Sequence, residues 1–150
     1  SASHGPDFTK FPAAPYWIGN DRSILELPLT TVYGGALRRS GDRLYPALRH
    51  MPRLRGALSR FGLLDRIALT PEGVSASDAI RGIDRALEEG LPLLVLSFHS
   101  PSLDPGHTPY VRSEDDLDRF YGWWKQVLSH CARKGIRPTD LGEIMQAVEI

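Results

Sequence analysis

Leu93-Leu94-Val95-Leu96-Ser97-Phe98-His99 is the stretch whose reading decides the fold. Residues 93–98 are a near-continuous apolar run with no alternation between polar and apolar positions. Such a strand is expected to be covered on both faces, as strands of parallel sheets are. The run stops at a histidine, and the loop from Ser100 to Arg112 follows.

Upstream, the pattern alternates between short extended pieces and helices. Ile24 to Thr30 reads as a strand, with Pro28 marking the ladder's end or a sheet edge. Gly34-Gly35 opens a loop. Leu44, Leu48, Met51, Leu54, Leu58 and Phe61 recur at helical spacing, with Pro52 a break or kink and Gly62 a stop. Arg66 to Thr70 reads as a strand ended by Pro71-Glu72-Gly73. Ser75 caps a second helix in a box that carries Asp78 in place of Glu, with Ile80, Ile83 and Leu87 as its buried stripe. Downstream, Ser113 caps a long helix whose first turn holds Glu114, Asp115 and Asp116, where the helix dipole favours acids. Its expected buried face is Leu117, Phe120, Tyr121, Trp124, Val127, Leu128 and Cys131. Thr139 caps a last helix from Leu141 to Val148.

This β-α alternation predicts an α/β fold with parallel strands joined by right-handed crossovers, part of a barrel or an open sheet. The first twenty-two residues read as a loop, punctuated by Gly5-Pro6-Asp7, Phe11-Pro12, Ala14-Pro15 and Gly19-Asn20. Phe8, Phe11, Tyr16 and Trp17 are interleaved there, so the loop is expected to pack on the rest of the molecule.

Composition narrows the function classes. The 150 residues suit one domain, and 41% hydrophobic with 24% charged residues is a globular profile. Eighteen basic residues balance eighteen acidic ones, so no net field draws the chain to nucleic acid. The arginines dense between Arg38 and Arg66 are interrupted by aliphatic residues at helical spacing and read as a solvated helix face. No apolar run reaches the roughly 18–20 residues that span a bilayer, and the N-terminus lacks signal-peptide order. A single cysteine, Cys131, excludes an internal disulfide and reads as a buried structural thiol. A cytoplasmic protein is the expectation.

Ligands of parallel α/β folds meet the chain at the C-terminal ends of strands. Of the ends here, only His99 is titratable near neutral pH, which is the position of a general acid or base. The competing reading is a core histidine bonded to a carbonyl. The loop after it, stiffened by Pro101, Pro105 and Pro109, is rich in hydrogen-bonding groups. His50 and His130 fall on helices and read as surface residues. Ser100 is no nucleophile elbow, because Gly-x-Ser-x-Gly is absent.

The stretch Leu94 to Leu103, followed by Pro105 to Arg112, resembles the last part of NodB-like polysaccharide deacetylases of carbohydrate esterase family 4, WalW-like branch. Leu25-Glu26-Leu27-Pro28-Leu29-Thr30 is similar to a Glu-Ile-Pro strand of that family, and the similarity runs from about Asp7 to Val148. The resemblance implies a distorted (β/α) barrel of about seven strands. It implies removal of acetyl groups from a polysaccharide by a divalent metal, zinc, held by an Asp and two His. A late-strand histidine protonates the leaving amine; here that is His99. Val95 and Ser97 match positions lining the acetyl pocket, where the family pattern Leu-x-Leu-x-His has leucines. Ser100, His107 and Tyr110 would contact the sugar. The family's Asp-Asp pair and His-x-x-x-His motif have no counterpart in this sequence. The chain is therefore expected to be the C-terminal part of the barrel, inactive by itself, with no metal ligands of its own. Its partners would be the N-terminal half and an acetylated polysaccharide. The other reading is a non-catalytic carbohydrate-binding or scaffold domain of the same ancestry.

Overall fold

The computed structural model describes residues 11–19 and 21–148. In chain order the elements are β1 (Tyr16–Ile18), β2 (Ile24–Glu26), β3 (Thr31–Gly34), α1 (Gly41–Ala47), α2 (Pro52–Arg60), β4 (Asp65–Ala68), α3 (Ala76–Glu88), α4 (Glu114–Arg133) and α5 (Leu141–Val148). Single 3-10 turns lie at Arg38–Ser40, Leu48–His50 and Ser100–Leu103.

The strands correct the expected parallel arrangement. Among the described residues β1 pairs with β2 and β3 with β4, both antiparallel, and no parallel pair or barrel forms. Two physical reasons stand out. Pro28 has no N–H and its ring fixes φ, so β2 stops at Glu26 and the chain becomes a strand again only at Thr31. Thr31-Val32-Tyr33, β-branched and aromatic, then makes a strand of its own where the sequence suggested only a lead into a loop. The connection through α1 and α2 next carries the chain back, so that Thr31 faces Ala68 and Gly34 faces Asp65. Pro52 at the start of α2 supplies the break between the two helices that helical periodicity alone would have missed. The return is tight at Gly35, whose φ is +90° and where a Cβ would lie 2.5 Å from the Leu63 backbone.

The second reason concerns residues 93–98. The run is extended but joins neither sheet. Three hydrogen bonds hold it: Thr30 N–H to the Val95 carbonyl at 3.1 Å, Val95 N–H to Thr30 Oγ1 at 2.7 Å, and Ser97 N–H to the Leu69 carbonyl at 3.1 Å. It is half-buried, with Phe98 exposed, and not covered on both faces.

The stretch expected to be a loop up to residue 22 contains β1, whose Tyr16 stacks on Phe11 at 5.9 Å between ring centroids. Its punctuating residues Gly5, Pro6 and Asp7, and Phe8, lie outside the described residues.

The core forms between α3, α4 and Leu69. Leu69, Ala79, Ile83, Trp123, Val127 and Cys131 are buried together, and Val32, Ile67 and Ala86 continue the apolar layer onto β3 and β4. Burial at this scale stabilises by about 1.5–3 kcal/mol per large aliphatic side chain. Both long helices are capped as their sequences indicate: Ser75 Oγ accepts from Asp78 N–H at 3.1 Å, and Ser113 Oγ from Asp116 N–H at 3.3 Å. α5 differs, for Asp140 Oδ1 and not Thr139 accepts the Glu143 N–H, at 2.9 Å. Trp123, outside the expected buried face, is buried, with its indole donating to the Val74 carbonyl at 3.0 Å, whereas Trp124 beside it is half-buried. Leu87, Tyr121 and Leu128, expected in buried faces, are exposed. No helix of the described residues is long and apolar enough to cross a membrane.

Candidate functional site

The turn Pro71-Glu72-Gly73 and the loop that begins at His99 meet, and one carboxylate joins them. Glu72 Oε2 lies 2.6 Å from His99 Nδ1, while Oε1 accepts from the His99 backbone N–H at 3.1 Å and from Ser102 Oγ at 2.6 Å. Ser102, fully buried, reaches Thr108 Oγ1 at 3.1 Å, and that oxygen accepts the Val111 N–H at 3.2 Å. The base of the turn is fixed in the same way, with Glu72 N–H donating to Thr70 Oγ1 at 3.2 Å.

Exposure is divided unequally across this pair. The Glu72 side chain is 5% exposed and the His99 side chain 79%. Burial by itself would raise the Glu72 carboxyl above its ordinary range. The hydrogen bonds from Ser102 and from the ring and backbone of His99 outweigh it and hold the group below that range. An ionised Glu72 fixes Nδ1 as the protonated ring position, and Nε2 has no partner among the described residues. A carboxylate below, an oriented imidazole above and a solvent-facing ring nitrogen can move a proton to or from a bound molecule.

Of the residues singled out from the sequence, the fold brings some to this point and leaves others apart. His99 is the centre. Ser100 opens the 3-10 turn that carries Ser102 back to Glu72. Val95 and Ser97 lie on the run leading in, held by Thr30 and Leu69. Tyr110 stands over Gly73, where a Cβ would be 3.7 Å from its ring, and borders a cavity of about 360 Å³ with Val74, Val111, Arg119 and Trp123. His107 instead pairs with Asp104 at 2.8 Å, both exposed, and makes no contact with His99.

Glu72, Ser102 and Thr108 are absent from the sequence-based candidates. Glu72 had been read as a strand terminator in a Pro-Glu-Gly turn. An acid directly after a strand end, in a chain whose next strand ends in histidine, was the available signal. His130 corrects another expectation. It is buried against α3, with Nε2 3.0 Å from Asp84 Oδ1, and not a surface residue. Cys131 beside it is buried too, which pushes its thiol pKa up and away from nucleophilic use.

Among the described residues no group of three or more His, Cys, Asp or Glu is placed to hold a metal ion. Comparison of the chain with protein-family models, with curated proteins and with solved structures finds no match.

Proposed function

We propose that this chain carries the proton-transfer part of a hydrolase that removes acetyl groups from a polysaccharide, with His99 as general acid. The observation that supports this reading most is the 2.6 Å contact between an exposed imidazole and a buried, ionised Glu72. In amide hydrolysis water adds to the acetyl carbonyl carbon, and the carbon–nitrogen bond then breaks. Protonated at Nε2, His99 gives that proton to the departing amine nitrogen, so the sugar leaves as a neutral amine. Glu72 touches His99 and Ser102 but not the substrate and is a positioning residue: its Oε2 holds the ring through Nδ1 and leaves Nε2 facing solvent. We assign sugar contact to Tyr110, beside Gly73, and to Ser100, next to His99, and the acetyl-facing positions to Val95 and Ser97 on the run that leads to His99.

Zinc, which the sequence resemblance implies, has no fitting ligand set among the described residues. His99 Nδ1 is engaged by Glu72 and His107 by Asp104, so neither pair forms a three-ligand cage. Residues beyond the described ones would have to hold the metal. A cytoplasmic setting belongs to the same proposal, supported by one buried, unpaired cysteine.

The test is acetate release from N-acetylated chito-oligosaccharides by the full gene product. His99→Ala should lower kcat about 10²–10⁴-fold, the usual contribution of a general acid. Undiminished release would remove His99 from the chemistry. Tight oligosaccharide binding with no release in either protein would favour a carbohydrate-binding domain.

A further inference from the structure

The extended run Leu93 to Phe98 uses only one of its two edges. Successive residues of an extended chain direct their N–H and C=O groups to opposite sides. Val95 and Ser97 turn theirs to Thr30 and Leu69. The backbone groups of Leu94, Leu96 and Phe98 make no hydrogen bond among the described residues. Leu94 and Leu96 line a groove of about 1300 Å³ that is also bordered by Leu27, Leu87, Leu91, Leu128, Ile136 and Ile144, and Phe98 lies just beyond it. The charged side chains on its wall, Arg137 and Glu143, are bonded to each other at 3.0 Å, which leaves the groove electrically neutral.

We propose that this edge is a docking site for one extended, uncharged, apolar strand of a partner chain, added alongside residues 94–98. The backbone specifies the shape of the occupant. Three alternate residues with open donors and acceptors are satisfied in register only by another extended backbone, the geometry of β-augmentation. A helix has no free backbone groups to offer, and a lipid tail offers none at all. The lining specifies side-chain chemistry: leucine and isoleucine walls with no unpaired charge take apolar groups and reject ionised ones. The groove also distinguishes a lone strand from a second copy. The groove walls come from α3, α4 and α5 together with Ala14, Pro15 and Leu27. A copy approaching edge-to-edge brings the same walls with it, whereas a lone strand does not. Unpaired edges of this kind are otherwise aggregation sites, which natural chains cover. The inference stands apart from the proposed activity, since it uses neither His99 nor Glu72.

The probe is a blocked pentapeptide, Thr-Val-Leu-Val-Thr, followed by amide hydrogen exchange resolved by residue. At a peptide concentration about ten times Kd, exchange at Leu94, Leu96 and Phe98 should slow about tenfold. Val95 and Ser97 should keep the rates they have in the free protein. The same peptide N-methylated at alternate residues, stripped of the donors that face the edge, should give no protection. Failure of the plain peptide to bind, protection spread evenly over 93–98, or equal protection by both peptides would overturn the proposal. So would a concentration-dependent dimer in which Leu94, Leu96 and Phe98 are already protected without peptide.

Discussion

Two histidine–carboxylate pairs in this molecule have the same chemistry and opposite burial. At Glu72–His99 the acid is 5% exposed and the ring 79%; at Asp84–His130 the ring is 10% exposed and the acid 37%. In the first, the protein uses its interior to hold a carboxylate still and offers the imidazole to whatever binds. In the second, the imidazole is tucked between α3 and α4, and Asp84 is shared with Lys134 at 2.8 Å. The Asp84 carboxyl is held below its ordinary range, first by the Lys134 hydrogen bond and then by His130, against the opposing effect of burial. One pair holds an imidazole out in solvent and the other fastens two helices. Which partner is buried makes the difference.

The sharpest way to break this contrast is to remove each ring in turn. His99→Ala should remove most of the acetate release at a smaller cost in stability, about 0.5–1.5 kcal/mol, because the exposed ring packs on little and only its hydrogen bond to buried Glu72 is lost. His130→Ala should do the reverse, costing about 1–3 kcal/mol in urea unfolding and leaving turnover of the folded protein intact. If both variants unfold equally easily, the distinction drawn from exposure is wrong.

A smaller effect is expected from acid. The fold lowers the pKa of Glu72, so its ionised form contributes stability above its ordinary value of about 4.3. That contribution fades as pH falls through the lowered native value. Glu72→Gln cannot titrate there. Urea midpoints measured at pH 6 and pH 3 should therefore fall further for the parent protein than for Glu72→Gln. Parallel losses would mean that the carboxylate gains nothing from Ser102 and His99. The smallest change belongs to the third pair, Asp104 with His107, where both groups lie in water. Replacing His107 with Ala should move stability by at most about 0.5 kcal/mol, the ordinary worth of an exposed ion pair being under 1 kcal/mol.

Much of the local structure was legible beforehand. Ser75 and Ser113 open α3 and α4 because a side-chain oxygen is needed where the first N–H groups lack partners. Pro52 divides α1 from α2 for an equally local reason. Strand direction was another matter. Alternating β and α segments usually mean parallel strands, but β3 and β4 are joined through α1 and α2 and meet antiparallel. Nothing within Thr31-Val32-Tyr33 states that its partner will arrive from the opposite direction. The apolar run at 93–98 misled similarly, because lack of alternation shows that both faces are apolar and not that both are covered.

The candidate site divides along the same line. Sequence by itself determined the caps, the helix breaks, the place of His99 at the end of the most apolar run, and the stiffness of the proline-rich loop after it. These depend on neighbours within a few residues, whose steric and hydrogen-bonding preferences act locally. Only the tertiary structure decided that Glu72, twenty-seven residues away, would lie beneath His99, that His130 would be buried, and that Leu94, Leu96 and Phe98 would keep an open edge. Those outcomes depend on which surfaces lose water together, and burial is a property of the assembled chain.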